Sequence, residues 1–112
     1  MAKPLFKNYS YEFDKNEKKL LITFCKTIIK QMSTDDRFYN EIKTFNSLLQ
    51  KLESDGNPVK LTKDEKTKLV FRLKENEKHL EKQIKNAGFI KKWIYKPLYK
   101  QYKNIIETHF ND

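Results

Sequence analysis

Residues 35–53 read DDRFYNEIKTFNSLLQKLE and carry the most regular hydrophobic pattern of the chain. Large apolar side chains recur there at intervals of four, three, four and three residues: Phe38, Ile42, Phe45, Leu49 and Leu52. This spacing is typical of an amphipathic helix with one buried face. The two aspartates that open the stretch suit the positive end of a helix dipole. We therefore expect a helix over 35–53.

The preceding segment predicts another helix. Asp14 and Glu17 are three residues apart, as in a capping box, and would start it. Its apolar positions again share one helical face: Leu21, Phe24, Cys25, Ile28 and Met32. We expect this helix over 14–32. The link to the helix over 35–53 is so short that the two should pack as an antiparallel pair.

A turn-forming segment, SDGNP at 54–58, follows, with Gly56 as the expected C-terminal cap of the second helix. Thr62 and Glu65 form another capping-box pattern and predict a third helix over 63–87. We expect Gly88 to end it in a left-handed conformation. The predicted buried face consists of aliphatic residues, whereas Phe71 points elsewhere: Leu69, Val70, Leu73, Leu80 and Ile84.

The last predicted helix covers 89–110, with a kink or restart at Pro97 because proline removes a backbone hydrogen bond. One face is predicted from the helical period: Ile90, Ile94, Leu98, Gln101, Tyr102 and Ile105. Four further residues widen it to about 200° of arc, more than one neighbour in a bundle needs: Tyr95, Tyr99, Ile106 and Phe110.

These patterns predict an all-α protein, a single antiparallel up-down four-helix bundle with a proline-kinked last helix. A chain of 112 residues is long enough for one core but not for two. Residues 1–13 carry aromatic side chains at alternate positions near their end and predict an extended N-terminal arm. This arm either covers the edge of the core or docks on a partner. The bundle domain is then 14–112.

Positive charge concentrates between Lys82 and Ile106, in the stretch KQIKNAGFIKKWIYKPLYKQYKNII. It holds seven lysines and no acidic residue, and thus supplies most of the formal net charge of +9. The only tryptophan and three of the six tyrosines lie among these lysines. From this stretch we predict a partner-binding set: Lys92, Trp93, Tyr95, Lys96, Tyr99, Lys100 and Lys103.

Three interpretations of this stretch are open. In the first, the rings fill the core, and AT-rich codon bias accounts for the lysines, which form a solvated face. In the second, the lysines neutralise the phosphates of nucleic acid and exposed rings stack on unpaired bases. In the third, the apolar arc docks on an acidic protein or on a second copy, giving a homodimer. A membrane-surface helix is a fourth option. We adopt the second, with the third as alternative.

Catalytic and metal-binding patterns are few. The two histidines, His79 and His109, are thirty residues apart, and no Glu-x-x-His motif is present, so neither a zinc nor a di-iron site is expected. Cys25 falls on an apolar face and is expected to be a buried structural thiol. The sequence shows no phosphate-binding glycine loop and no nucleophile elbow. We expect no enzyme, no catalytic residue, no metal and no cofactor.

The single cysteine cannot form an intramolecular disulfide, which fits a reducing compartment. Residues 1–10 lack the apolar core of a signal peptide, and the longest aliphatic run, 20–22, is far too short to span a membrane. We expect a cytoplasmic protein without a membrane span. Small size, AT-rich codon usage and missing catalytic signatures are also common among accessory proteins of bacterial mobile elements.

Overall fold

The computed structural model describes residues 9–54, 56 and 58–110, and most of them are helical. These residues form four α-helices: α1 at Lys15–Met32, α2 at Tyr39–Glu53, α3 at Lys63–Asn86 and α4 at Phe89–His109. A 3₁₀ helix at Asp36–Phe38 precedes α2, and two strands, β1 at Tyr9–Tyr11 and β2 at Val59–Leu61, complete the elements. The predicted mainly helical class is confirmed, and the helix bounds agree to within a few residues.

The two strands form a small antiparallel sheet, with Ser10 opposite Lys60. In β2, Val59 and Leu61 are buried, whereas Lys60 between them is exposed. The end of the predicted arm is therefore extended, as expected, but it pairs with a strand that the sequence did not reveal. Three residues are too few for an alternating pattern to be recognised as a strand. Residues 1–8, the rest of the predicted arm, lie outside the described residues.

The chain divides into two compact units, Met1–Lys68 and Leu69–Asp112, and the boundary falls within α3. In the first unit α1 and α2 pack against each other, and α2 also contacts β2 and the 3₁₀ helix. All five side chains predicted for the buried face of α1 are buried. The buried apolar residues of this unit are Phe13, Leu21, Phe24, Cys25, Ile28, Met32, Phe45, Leu48, Leu52, Val59 and Leu61.

The buried face of α2 differs from the one that the hydrophobic spacing predicted. Phe45 and Leu52 are buried as expected, but Leu48 is fully buried in place of Leu49, which is only half-buried. Phe38 belongs to the 3₁₀ helix, which advances three residues per turn instead of 3.6, so it is out of phase with α2. The stretch that was predicted as one α-helix therefore opens with a different helical period.

Both predicted capping boxes form. The carboxylate of Asp14 accepts a hydrogen bond from the amide of Glu17 at 2.7 Å, and the Glu17 carboxylate accepts one from the amide of Asp14 at 2.9 Å. At α3, the hydroxyl of Thr62 accepts from the amide of Glu65 at 3.1 Å, and the reverse bond is 2.8 Å long. These bonds satisfy amides that a helix start leaves without a helical partner.

The predicted roles of Gly56 as the C-cap of α2 and of Gly88 as a left-handed residue are both wrong. The C-cap of α2 is Ser54 in an extended conformation, and not Gly56. The ammonium of Lys18 on α1 instead donates to the carbonyls of Ser54 and Gly56, at 3.5 and 3.3 Å. Gly88 has φ −67° and is the N-cap of α4. A side chain from another helix therefore satisfies carbonyls at the end of α2.

In the second unit, α4 runs through Pro97 without a break, so the predicted restart does not occur and a kink stays a prediction. Phe71 of α3 is 57% exposed, as expected. The buried side chains of this unit are Leu69, Leu73, Leu80, Tyr102, Ile105, Ile106 and Phe110. None of the helices in the described ranges is long and apolar enough to cross a membrane.

Candidate binding surface on helix α4

The two halves of α4 differ in burial. Among the described side chains from Lys91 to Gln101, none is fully buried. The second half contributes four buried side chains: Tyr102, Ile105, Ile106 and Phe110. Ile94 and Gln101, which share the predicted face with Tyr102 and Ile105, are exposed. Helical periodicity shows which side of a helix is apolar, but not how far along the helix that side is covered.

The first half of α4 exposes a tryptophan among lysines. The side chain of Trp93 is 74% exposed, and Lys96 and Lys100 are exposed as well. At about 100° per residue, these three residues and Lys103 fall within about 80° of arc, on the side of α4 opposite Tyr102. We call Trp93, Lys96, Lys100 and Lys103 the exposed ridge.

The structure therefore separates the predicted partner-binding set. Four of the seven predicted residues form the ridge and lie together on one side of the helix. Tyr95 is half-buried and lies on the other side, whereas Tyr99 and Lys92 are half-buried at the margin of the ridge. The ammonium of Lys103 lies 5.9 Å from the ring centroid of Tyr99, at the outer limit of a cation–π contact. Of the predicted aromatic residues, only Trp93 offers most of its ring to solvent.

The lysines of the ridge are not held in ion pairs with described residues, although one carboxylate, Glu107, lies on the same side of α4. In the described part of the chain, none of these three lysines forms an ion pair with a carboxylate. Glu107 lies on the same side one turn beyond Lys103 and pairs with neither Lys103 nor Lys100. Ion pairs occur instead earlier in the chain: Arg37–Asp35, Lys51–Glu65, Lys68–Asp64 and Arg72–Glu75.

The structure contains a buried ionic cluster around Glu65 that the sequence did not predict. The side chain of Glu65 is 7% exposed and accepts hydrogen bonds from Ser47 Oγ at 2.6 Å, from Lys51 Nζ at 2.5 Å and from the Thr62 amide at 2.8 Å. Burial alone raises the pKa of Glu65, but the bonds from Lys51, Ser47 and Thr62 outweigh it and hold the pKa below its usual value. The capping box was readable from the sequence, whereas the two partners on α2 depend on tertiary packing.

This cluster links α2 to the start of α3 and is structural, because both carboxylate oxygens already accept hydrogen bonds. Cys25 is also inert, since it is fully buried and burial raises the pKa of its thiol to about 12. The buried structural thiol that the sequence predicted is therefore present. The exposed ridge is left as the strongest candidate for contact with a partner.

Comparisons of the chain with family models, with curated proteins and with solved structures found no match. The interpretation of the ridge therefore depends on its own residues, their exposure and their charge.

Proposed function

We propose that this is a small non-catalytic binding or regulatory protein that binds nucleic acid through the exposed ridge of α4. The observation that carries the proposal is the 74% exposure of Trp93 in line with Lys96 and Lys100, which form no ion pair with any described residue. Lysines that neutralise phosphates release counterions, which favours binding. An exposed ring stacks on a base and contributes about 1–3 kcal/mol.

Single strands suit this surface better than duplexes. Trp93 can stack only on a base that is not already stacked and paired in a helix. The ridge supplies lysines, which act as point charges, and not the arginine forks that grip phosphates in fixed geometry. We therefore expect binding with little sequence preference and with strong dependence on salt.

Fluorescence anisotropy tests this directly. The labelled oligothymidylate should have about 20 nucleotides, a length suited to one or two such sites. Three phosphate contacts predict a slope of log affinity against log salt of about −2, because each contact to a single strand contributes about −0.7. The double variant Lys96→Gln/Lys100→Gln should make the slope shallower by about 1.4. A duplex of equal length should bind more weakly.

The matched control is Lys26→Gln/Lys30→Gln on α1, which removes the same charge at the same i, i+4 spacing from exposed positions. We expect this control to bind like the unmodified protein. A slope near zero, or an equal loss in both double variants, would contradict the proposal. The second result would mean that net charge acts, and not the ridge.

Trp93 is the only tryptophan, so its fluorescence reports on the ridge itself. Stacking should quench it on titration with oligonucleotide. Trp93→Ala should weaken binding by about 5- to 150-fold, the equivalent of one stacked base, whereas Trp93→Phe should retain most of the affinity. The melting temperature of Trp93→Ala should change little because the ring is mostly exposed. A variant that unfolds would show that the ring is structural.

A second candidate function rests on Ile94, which is 65% exposed beside Trp93. An isoleucine gives little to a stacked base, whereas two adjacent exposed apolar side chains suit a protein interface. The alternative partner is an acidic protein or a second copy of the chain. Ile94→Ser should weaken such a complex in sedimentation equilibrium and leave oligonucleotide binding unchanged. The reverse result would favour nucleic acid.

As the setting for this surface we propose the antiparallel up-down four-helix bundle, with a kink at Pro97, in the cytoplasm. Contact between α1 and α2 across a short link supports the antiparallel order, and the single unpaired Cys25 suits a reducing compartment. Distances between spin labels at the ends of α1 and α2 test the order. A long distance between the start of α1 and the end of α2 would exclude it.

A further inference from the structure

A cleft of about 660 Å³ lies where α3 ends and α4 begins. This volume is within the range of small-molecule sites in proteins. Both helices and the glycine between them line it. Its polar lining consists of His79, Lys82, Gln83, Asn86, Lys91 and Tyr95.

The residues that line the cleft are suited to bind an anion that is attached to a flat ring. Of the described residues that line the cleft, none is acidic. Lys82 and Lys91 form no ion pair with any described residue. The Gly88 N-cap offers no side-chain bond, and the first turn of α4 holds no acidic residue, so the cleft stays positive. Tyr95 adds a half-buried ring.

The cleft is separate from the exposed ridge. Lys91 and Tyr95 each lie two positions from Trp93, which places both about 160° away around α4. A strand that stacks on Trp93 therefore has no need of these residues. The proposed function leaves the cleft unexplained.

We infer that this cleft is a second site and binds a mononucleotide. Lys82 and Lys91 supply charge for the phosphate, and a lysine ammonium forms short charge-assisted hydrogen bonds to phosphate oxygens. The ring of Tyr95 takes one face of the base. The side-chain amides of Gln83 and Asn86 can both donate to and accept from the polar edges of a base or a ribose. All three parts of a nucleotide thus find a matching group.

Titration of the full chain with AMP, adenosine and inorganic phosphate, followed by amide NMR shifts and calorimetry, tests the inference. AMP should shift the amides of Gly88, Lys91 and Tyr95 and bind at least about tenfold more tightly than either adenosine or phosphate alone. Lys82→Gln and Lys91→Gln should each weaken AMP about tenfold, the loss expected for one charge-assisted bond. Lys85→Gln is the matched control, since Lys85 is exposed on α3 but does not line the cleft.

Three results would overturn the inference: phosphate binding as tightly as AMP, equal losses in Lys85→Gln and Lys82→Gln, or shifts confined to the ridge. Failure here is distinguishable from failure of the proposed function. Trp93→Ala should weaken oligonucleotide binding and leave AMP binding unchanged. Lys82→Gln should do the opposite. Loss of AMP binding in Trp93→Ala would show that the two sites are one.

Discussion

Replacement of the buried Glu65 by alanine gives the most direct test of how this fold is held together. Its carboxylate receives one bond from an ammonium, one from a hydroxyl and one from a backbone amide. A bond to a charged group contributes about 1.5–3 kcal/mol and a neutral one about 1. The three bonds share one side chain and are not additive, so we expect Glu65→Ala to lower the free energy of unfolding by about 3 kcal/mol.

Urea denaturation followed by far-ultraviolet circular dichroism measures this loss by linear extrapolation. The melting temperature should fall by roughly 10 °C, because a domain of this size loses about 4 °C per kcal/mol. Glu65→Gln keeps the shape of the side chain and removes its charge, so it should fall between the alanine variant and the unmodified protein.

Asp64→Asn is the control, one position away. Asp64 is 66% exposed and pairs with Lys68 at 3.3 Å, an exposed i, i+4 pair that contributes about 1 kcal/mol at most. If Glu65→Ala cost no more than Asp64→Asn, burial of the cluster would not be what stabilises it. A double-mutant cycle of Glu65→Gln with Lys51→Met should give a coupling free energy above about 1 kcal/mol. A coupling near zero would show that the interaction between Glu65 and Lys51 does not stabilise the contact of α2 with α3.

Further predictions concern acid, the thiol and the buried face of α2. Because the folded-state pKa of Glu65 is lowered, the stability that it contributes is present above the usual carboxylate pKa and is lost as pH falls through the folded-state pKa. In urea titrations at several pH values, Glu65→Gln should therefore reduce the loss of unfolding free energy at acid pH. An unchanged loss would contradict this prediction. Ellman's reagent should react with Cys25 only on unfolding, since burial raises the pKa of this thiol to about 12, so rapid labelling of the folded protein would count against that burial. In urea denaturation, Leu48→Ala should lower the free energy of unfolding by about 2–5 kcal/mol and Leu49→Ala by clearly less. The opposite order would show that Leu49, as the spacing predicted, lies on the buried face of α2.

The helices could be predicted because their signals are local. Each capping box needs only two residues three positions apart, and the stripe of α1, from Leu21 to Met32, repeats over about three turns of its own sequence. The glycine predictions failed because the end of α2 is satisfied by Lys18, which lies 36 positions earlier than Ser54. The strand β2 was missed because its identity depends on a partner, β1, far away in the chain. Contacts between residues that are so far apart in the chain cannot be recognised from a local sequence pattern.

The candidate site was predictable in charge but not in geometry. The run of lysines without acidic residues was visible in the sequence, and so was the position of Trp93 among them. The separation of Tyr95 and Tyr99 from Trp93 was not anticipated in the predicted set, although it follows from helical rotation. An apolar arc wider than one neighbour needs was visible in the sequence, but the exposure of Ile94 in particular depends on where coverage of α4 stops.

The unbroken passage of α4 through Pro97 has a consequence for how this helix opens. Proline has no amide hydrogen, so the carbonyl of Trp93 lacks the donor that it would otherwise have four residues later. The helix is therefore weakest near its midpoint, and among its described side chains those that are buried, such as Tyr102 and Ile105, lie in the later half. Deuterium should enter the amides of residues 92–96 much sooner than those of 102–106. The proposed binding surface is then also the first part of α4 to open.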